Sequence, residues 1–207
     1  MNPRAAVLAF PAPRARGRPR DPEVDARVIG AARRLLAEKG YEALSFEAIA
    51  QETGIGKPTI YRRWPTKAHL AAEIATGDGA EGLPDIVVQE GLAAQIRAIF
   101  AQAASFYGRP GMKAAVLGVL ASAQSDAALR DQFNRLEEAT RGELRTIVAK
   151  GQAAGLIRDG IDVDTLFDMI SGSVIFRMML SEAPMPRDYV DAAAAQIVRS
   201  LAPAATE

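Results

Sequence analysis

The sequence predicts an all-α protein, with a three-helix domain near the N-terminus and a larger helical domain after it. In every segment with a clear period, apolar residues recur at the three- and four-residue spacing of an α-helix. No run alternates between apolar and polar residues for long enough to predict a strand. Hydrophobic residues make up 49% of the 207 positions, which is enough for a packed core.

The first predicted helix begins after Asp21, a favourable N-cap, and has Pro22 in its first turn. Gly40 is its expected end, because glycine readily takes the left-handed conformation that closes many helices. The apolar stripe of this helix consists of Val24, Val28, Ala31, Ala32, Leu35 and Leu36.

Three further helices are predicted close behind the first. Ser45 can cap the second helix, which Gly54 ends. The third is predicted over residues 58–64, where Ile60 and Trp64 lie four positions apart and can anchor one face to a core. A fourth helix is expected from Lys67 to about residue 75.

A domain boundary is predicted in T-G-D-G-A-E-G-L-P, residues 76–84, where three glycines and one proline among nine residues favour a loop. We therefore expect a head domain over residues 21–75 and a second domain over residues 76–207. In the second domain, apolar stripes predict helices over residues 92–106, 116–123, 126–153, 162–178 and 189–201.

The composition excludes several kinds of site. There is no cysteine and one histidine, His69, so we expect no metal site, no cofactor and no cysteine nucleophile. Acid pairs such as Glu137–Glu138 and Asp162–Asp164 lack a nearby histidine or nucleophile, so we expect no catalytic residues. No apolar run approaches a membrane span, and the proline-interrupted N-terminus is a poor signal peptide, which favours a cytoplasmic protein.

Charge is distributed unevenly along the chain. The formal net charge is zero, but residues 1–75 carry 13 Lys/Arg and 8 Asp/Glu, a balance of +5. Residues 76–207 carry the opposite balance, −5. This asymmetry favours a polyanion as the partner of the N-terminal part of the chain.

Residues 1–20 are rich in Pro, Ala and Arg and lack periodicity, so we expect a disordered arm. The arm ends in R-G-R-P-R, with Arg16, Arg18 and Arg20, and its first four letters resemble the core of the AT-hook motif. An extended Arg-rich segment fits the minor groove of DNA. The alternative is a solvated basic tail that phosphate attracts in general.

The spacing between the second and third helices is typical of a helix-turn-helix, in which the second helix of the motif enters the major groove of DNA. The close crossing of its helices needs a small residue, a glycine four positions later and a buried aliphatic six positions after that. Here these residues are Ala50, Gly54 and Ile60. A helical hairpin with a purely structural role is the alternative.

The third helix should present a polar, cationic face. Lys and Arg side chains can donate to guanine, and a Thr methyl or Pro ring can contact a thymine methyl. Tyr61 and Lys67 are expected at phosphates, which fix register and carry little sequence information. An ordinary solvated face is the alternative for Arg62 and Arg63. The candidate contacts on this helix are Lys57, Pro58, Thr59, Tyr61, Arg62 and Arg63.

Residues 21–75, above all F-E-A-I-A-Q-E-T-G-I-G-K-P-T-I-Y-R-R-W-P-T-K-A-H-L, resemble the DNA-binding domain of the TetR family. The resemblance implies a phosphate contact for Ser45 and base contacts for Lys57, Pro58 and Thr59, with Arg62 as a further candidate. It implies backbone contacts for Tyr61, Arg63 and Lys67. Many members carry Gly at position 58 and His-Phe at positions 63 and 64, which leaves the division of roles between Arg62 and Arg63 open.

For the second domain, the resemblance implies a small-molecule ligand and a homodimer. Aromatic and Met side chains suit an apolar cavity, although they are also ordinary core residues. The expected ligand contacts are Phe100, Phe106, Tyr107, Met112, Phe133, Phe176 and Met179.

Dimerisation is expected through the last two helices. The first of them contains Ser171-Gly172-Ser173, which permits close helix approach, and the second has a stripe of Tyr189, Val190, Ile197 and Val198. Such helices can equally cover the core of their own domain. The ending G-S-V-I-F-R-M-M-L-S-E-A-P-M-P is similar to the dimerisation region of some family members.

Together these features favour a sequence-specific DNA-binding transcriptional regulator. We expect a repressor that a small, apolar ligand releases from a palindromic operator of double-stranded DNA, with recognition helices about 34 Å apart or a multiple of that repeat. The alternative is an architectural DNA-binding protein without an effector, which would use the arginine arm and show little sequence selectivity. A footprint at one palindrome favours the regulator, and uniform coverage favours the architectural protein.

Overall fold

The structure, a computed structural model, describes residues 21–77, 91–181 and 183–203. Every regular element within these residues is helical, which confirms the all-α fold. The helices are α1 Pro22–Lys39, α2 Phe46–Thr53, α3 Lys57–Arg63, α4 Lys67–Gly77, α5 Gly91–Gly108, α6 Met112–Ala123, α7 Ala127–Ala153, α8 Val163–Ile175 and α9 Arg187–Leu201. A π-helical turn, Phe176–Leu180, continues α8.

Side-chain caps begin the helices where the sequence predicted them. Asp21 Oδ1 accepts from the Glu23 amide at 3.1 Å, and Ser45 Oγ accepts from the Ala48 amide at 3.1 Å. The helix α4 extends to Gly77, so the loop predicted from residue 76 begins later than expected. Residues 78–90, which contain the rest of that predicted loop, lie outside the described residues.

The chain divides into two compact units. Among the described residues, the first unit contains 21–77 and 108–136, and the second contains 91–107, 137–181 and 183–203. The first unit therefore includes α6 and the first part of α7 in addition to the predicted head. The boundary expected after residue 75 stays a prediction.

Helix α1 is central to the first unit, where it packs against α2, α4 and α6. Its predicted stripe provides five buried residues, Val28, Ala31, Ala32, Leu35 and Leu36. The same core contains Leu44, Phe46, Ile49, Ile55, Ile60, Trp64, Leu70, Ala71, Ile74 and Ala115. Burial of these apolar side chains holds the three helices of the head together.

Two glycines allow α6 to lie close to the head. A Cβ at Gly118 would fall 2.1 Å from Cδ2 of Tyr41, whose hydroxyl lies 3.1 Å from Ser122 Oγ. Gly111 has φ +78, and a Cβ there would lie 2.9 Å from the Cβ of Leu36. A side chain at either position would push α6 away from its neighbours.

The second unit buries apolar side chains from α5, α7, α8 and α9, including Ile96, Phe100, Leu144, Val148, Leu166, Ile170, Val174, Val190, Ala194, Ile197 and Leu201. Arg141 joins α7 to α8, since its Nη2 lies 2.7 Å from Asp168 Oδ1 and its guanidinium 4.2 Å from the ring centroid of Phe167. No helix within the described residues is both long and apolar enough to cross a membrane.

Candidate nucleic-acid interface

The turn between α2 and α3 has the geometry of a helix-turn-helix. Gly54 lies at φ 70 and ψ 7, in the left-handed region, and its amide donates to the Ala50 carbonyl at 2.9 Å. Ile60 on α3 is fully buried. The predicted trio of Ala50, Gly54 and Ile60 therefore forms the crossing of the two helices.

The far end of α3 is fixed by Trp64. Its ring is buried, and its Nε1 donates to Glu73 Oε2 on α4 at 2.5 Å. A buried indole normally needs such a partner for its N–H. Ile60 and Trp64 together hold one face of α3 against the core, which leaves the opposite face to solvent.

The outer face of α3 carries most of the predicted DNA contacts. Lys57, Pro58, Tyr61 and Arg62 are exposed, and Thr59 is half-buried. Tyr61 is 51% exposed, and its ring stands edge-on to that of Phe46, with ring centroids 4.8 Å apart. The buried ring of Phe46 thereby supports the exposed ring of Tyr61.

Lys57 has a partner on α2 that helical spacing does not predict. Its Nζ donates to Oε1 of Glu47, on α2, at 2.8 Å. The hydrogen bond and the attraction of the opposite charges raise the pKa of Lys57 and lower the pKa of Glu47. The exposed acid in the first turn of α2 was visible in the sequence, but nothing in the spacing showed that it faces Lys57.

Ser45 combines a structural role with the predicted phosphate contact. Its Oγ accepts from the Ala48 amide and so caps α2, while its side chain remains half-buried at the surface. The hydroxyl proton is not used in that bond. A hydroxyl in this position can donate to an anion while its oxygen continues to cap the helix.

Arg63 does not lie on the outer face of α3, which corrects the expectation that it is presented there. Its side chain is 8% exposed, and its Nε donates to Oδ1 of Asp25 on α1. Adjacent helical residues point about 100° apart, so Arg62 is exposed while Arg63 turns inward. In this structure Arg63 ties α3 to α1.

Lys67 also makes contacts inside the head. Its Nζ donates to the carbonyl oxygens of Tyr41 at 3.1 Å and Glu42 at 3.4 Å, and lies 4.5 Å from the centroid of the Tyr41 ring. The ammonium thereby connects the start of α4 to the turn between α1 and α2. Its predicted phosphate contact would be made from this half-buried position. The arm residues Arg16, Arg18 and Arg20 lie outside the described residues.

Comparison with known proteins agrees with this geometry. The sequence pattern of the bacterial regulatory proteins of the tetR family matches residues 28–74. The pattern of the tetracyclin repressor-like C-terminal domain matches residues 89–197, more than half of the chain. The chain belongs to the TetR family. As a TetR-family protein with this helix-turn-helix, it is a DNA-binding transcriptional regulator.

Relatives and solved structures extend the similarity over most of this TetR-family chain. The HTH-type transcriptional regulator YdeS of Bacillus subtilis is 26% identical over 176 residues, 84% of this chain and 88% of YdeS. The crystal structure of the TetR family transcription regulator SCO0332 shares 25% identity with a TM-score of 0.62, covering 87% of this chain and 100% of SCO0332. The flavonoid-responsive regulator FrrA shares the fold at 21% identity and a TM-score of 0.61. The match covers 89% of this chain and 100% of FrrA.

The expected ligand contacts of this TetR-family chain are divided between its two units. Phe100, Phe106, Tyr107, Phe176 and Met179 belong to the second unit, whereas Met112 and Phe133 belong to the first. Phe100, Met112 and Met179 are buried, but Phe176 is 63% exposed. Phe106 and Tyr107 form an edge-on pair with centroids 4.9 Å apart, and burial raises the pKa of the Tyr107 phenol. The ligand set as a whole stays a prediction.

The apolar stripe predicted on the last helix faces its own unit. Val190 and Ile197 are buried, as expected for residues that cover the core of their own domain. Among the described residues of the second unit, the exposed large apolar side chains lie instead on α8 and its π-helical turn, at Met169, Phe176 and Leu180. Val190 and Ile197 could have formed a dimer interface or covered the core of their own domain, and the structure favours the second role.

Proposed function

We propose that the protein is a homodimeric repressor that binds a palindromic operator and is released from it by a small ligand. The observation that carries the proposal is the exposed set Lys57, Pro58, Tyr61 and Arg62 on α3, with Ile60 and Trp64 anchoring the opposite face of that helix. In a helix-turn-helix, this helix enters the major groove with its first residues at the base edges.

The proposed DNA contact of each residue depends on its position along α3. Lys57, Pro58 and Thr59, in the first turn, approach bases. Tyr61 and Arg62, with Ser45 and Lys67 beside them, contact phosphates and set the register. For Arg63 we propose a structural role through Asp25, since the buried ion pair leaves little of its side chain for DNA.

A homodimer is supported by the apolar surface of the second unit. Met169, Phe176 and Leu180 are each more than half exposed and follow one another on α8 and its π-helical turn. A Cβ at Gly172, in the same stretch, would meet open space, so another helix can approach closely there. Clustered exposed apolar side chains mark association surfaces. A two-fold dimer of this kind would present two recognition helices to a palindrome.

A small, apolar ligand is proposed for the second domain. The domain contains aromatic and Met residues, and one solved structure with the same fold is that of a flavonoid-responsive regulator. A ligand would act through different affinities for the DNA-binding and released states. We also propose that the protein acts in the cytoplasm, where the DNA of a bacterial regulator lies.

Selection of bound DNA from a random pool with the purified full chain tests the function directly. A repressor of this kind should enrich one palindromic sequence whose half-sites lie about one helical turn, or a multiple of it, apart. Enrichment of no sequence, together with uniform footprints, would instead indicate an architectural protein. Titration of an enriched operator with flavonoids then tests the proposed release.

A further inference from the structure

Glu47 places a carboxylate beside a proposed base contact. It lies in the first turn of α2, and Lys57 is the first residue of α3. The Lys57 Nζ lies 2.8 Å from Glu47 Oε1, and the side chains of Lys57 and Glu47 are 48% and 63% exposed. The pair therefore joins the outer surfaces of both helices of the motif and remains open to solvent.

A carboxylate in this position has a particular relation to DNA. Phosphates repel it, so it weakens general attraction to the DNA backbone. In the major groove, however, cytosine N4 and adenine N6 are hydrogen-bond donors that a carboxylate can accept from. Glu47 thus favours a base whose amino group faces the major groove and disfavours sites that offer only acceptors there.

The pair can open at little cost. Exposed ion pairs contribute little to stability, because water screens them and both side chains lose rotational freedom in the pair. Lys57 can therefore leave Glu47 to donate to guanine O6 and N7. The carboxylate is then free to accept from a base amino group within one side-chain length of Lys57.

We propose that Glu47 is a specificity-determining residue, whose carboxylate accepts from the amino group of a cytosine or adenine next to the base that Lys57 contacts. This inference rests on the proposed function, since it requires that α2 and α3 bind the major groove. It adds an acceptor on α2 to the donors on α3. A site with both kinds of group discriminates bases more sharply than cations alone.

The test is selection of DNA from a random pool with the full chain and three variants. Glu47→Ala should lose the preference for cytosine or adenine at one position in each half-site. The loss should be about 5- to 150-fold, the range that corresponds to 1–3 kcal/mol for one base contact. Glu47→Gln should move the preference toward adenine, because an amide side chain pairs with adenine N6 and N7.

Glu52→Ala is the matched control. Glu52 is an exposed acid on the same helix and also forms an ion pair between helices, with Arg34 Nε donating to its Oε1 at 2.8 Å. Its removal changes the charge by the same amount, so base preference should stay as in the wild type. Thermal unfolding of all variants, followed by circular dichroism, checks that the compared proteins are folded.

Two outcomes of the selection separate the role of Glu47 from the proposed function. If Glu47→Ala keeps every base preference, the inference is overturned; a common gain in affinity for all sequences would then show that the carboxylate only screens Lys57. If the wild type itself enriches no sequence, the proposed function fails rather than the role of Glu47.

Discussion

Two neighbouring arginines show how burial at one residue decides its role. Arg62 and Arg63 have the same chemistry, yet Arg62 is exposed, while the Arg63 side chain is 8% exposed and paired with Asp25. Ionised groups that are largely withdrawn from water depend strongly on their partners. The stability of the head should therefore respond to Arg63, and DNA affinity to Arg62.

We predict that Arg63→Ala and Asp25→Asn each lower the free energy of unfolding by about 1–3 kcal/mol, because each leaves a partly buried charged group without its partner. Urea denaturation measures the loss. At a temperature where both variants are folded, their operator affinities should be equal, whereas Arg62→Ala should lower affinity without loss of stability. A loss of affinity in Arg63→Ala that Asp25→Asn does not share would show a direct DNA contact instead.

Thr59 offers a test of base contact through a single methyl group. Thr59→Ser keeps the hydroxyl and removes the methyl, which should cost about 1 kcal/mol, or roughly five-fold in affinity, if that methyl contacts a thymine methyl. Replacing the same thymine by uracil in the operator should cause the same loss of affinity. The Thr59→Ser protein should bind the uracil operator no more weakly than either change alone would predict. Equal effects of Thr59→Ser on the thymine and uracil operators would contradict the contact.

At the level of elements, Tyr41 connects the turn between α1 and α2 to two helices of the first unit. Its hydroxyl contacts Ser122 on α6, its ring lies against Gly118, and its carbonyl accepts from Lys67 on α4. The glycine is needed because the ring occupies the space where a Cβ would lie. This arrangement fixes the turn before α2, and hence the start of the helix-turn-helix, relative to α4 and α6.

We predict that Gly118→Ala lowers the free energy of unfolding by about 1–3 kcal/mol, the usual cost of overpacking. Denaturant unfolding followed by circular dichroism measures it. Gly142→Ala on α7 is the matched control, since a Cβ there meets nothing within 4 Å. That change should be stabilising by about 0.5–1 kcal/mol, because alanine favours a helix interior more than glycine does.

The double variant Tyr41→Ala with Gly118→Ala separates the ring contact from other effects at Gly118. Because the first change removes the ring that a new Cβ would meet, the second should then cost much less than it does alone. Strictly additive losses would show that the cost at Gly118 has another origin.

At the level of the whole molecule, the exposed apolar surface of the second unit predicts the oligomeric state. Phe176→Glu places a charge within the stripe of Met169, Phe176 and Leu180, so it should weaken the dimer by at least ten-fold in dissociation constant. Sedimentation equilibrium measures that constant. Leu117→Glu, at another exposed apolar position on α6, is the control and should leave the dimer unchanged.

Affinity for the operator should depend on dimerisation. If Phe176→Glu is monomeric, its affinity for a full palindrome should fall toward that for a single half-site, while Leu117→Glu keeps wild-type affinity. A Phe176→Glu protein that stays dimeric would place the interface on another surface.

Much of the fold could be predicted because its signals are local. Asp21 and Ser45 cap helices through amides two or three residues away, and Gly54 closes α2 through a bond to Ala50. The helix-turn-helix depends on residues within a few turns of one another, so their spacing was sufficient to predict it. The exposure of Lys57, Pro58, Tyr61 and Arg62 followed from the same helical period.

The remaining contacts join residues that lie far apart in the chain. Arg63 meets Asp25 across 38 positions, and Tyr41 meets Ser122 across 81. The burial of Val190 and Ile197 likewise depends on how α9 packs within its unit. Helical period gives each side chain a direction, but the neighbour it meets depends on packing between helices.

Capping, helical period and turn chemistry act over a few residues, so the sequence was enough to establish an all-α chain with a helix-turn-helix and a cationic third helix. Only the packing of the helices showed which charged side chains of the head pair with each other and which face solvent. It turned Arg63 inward, held Lys67 against Tyr41 and brought Glu47 to Lys57. The physical reason is that a charge takes its role from the partner and the solvent around it, and helix packing sets both.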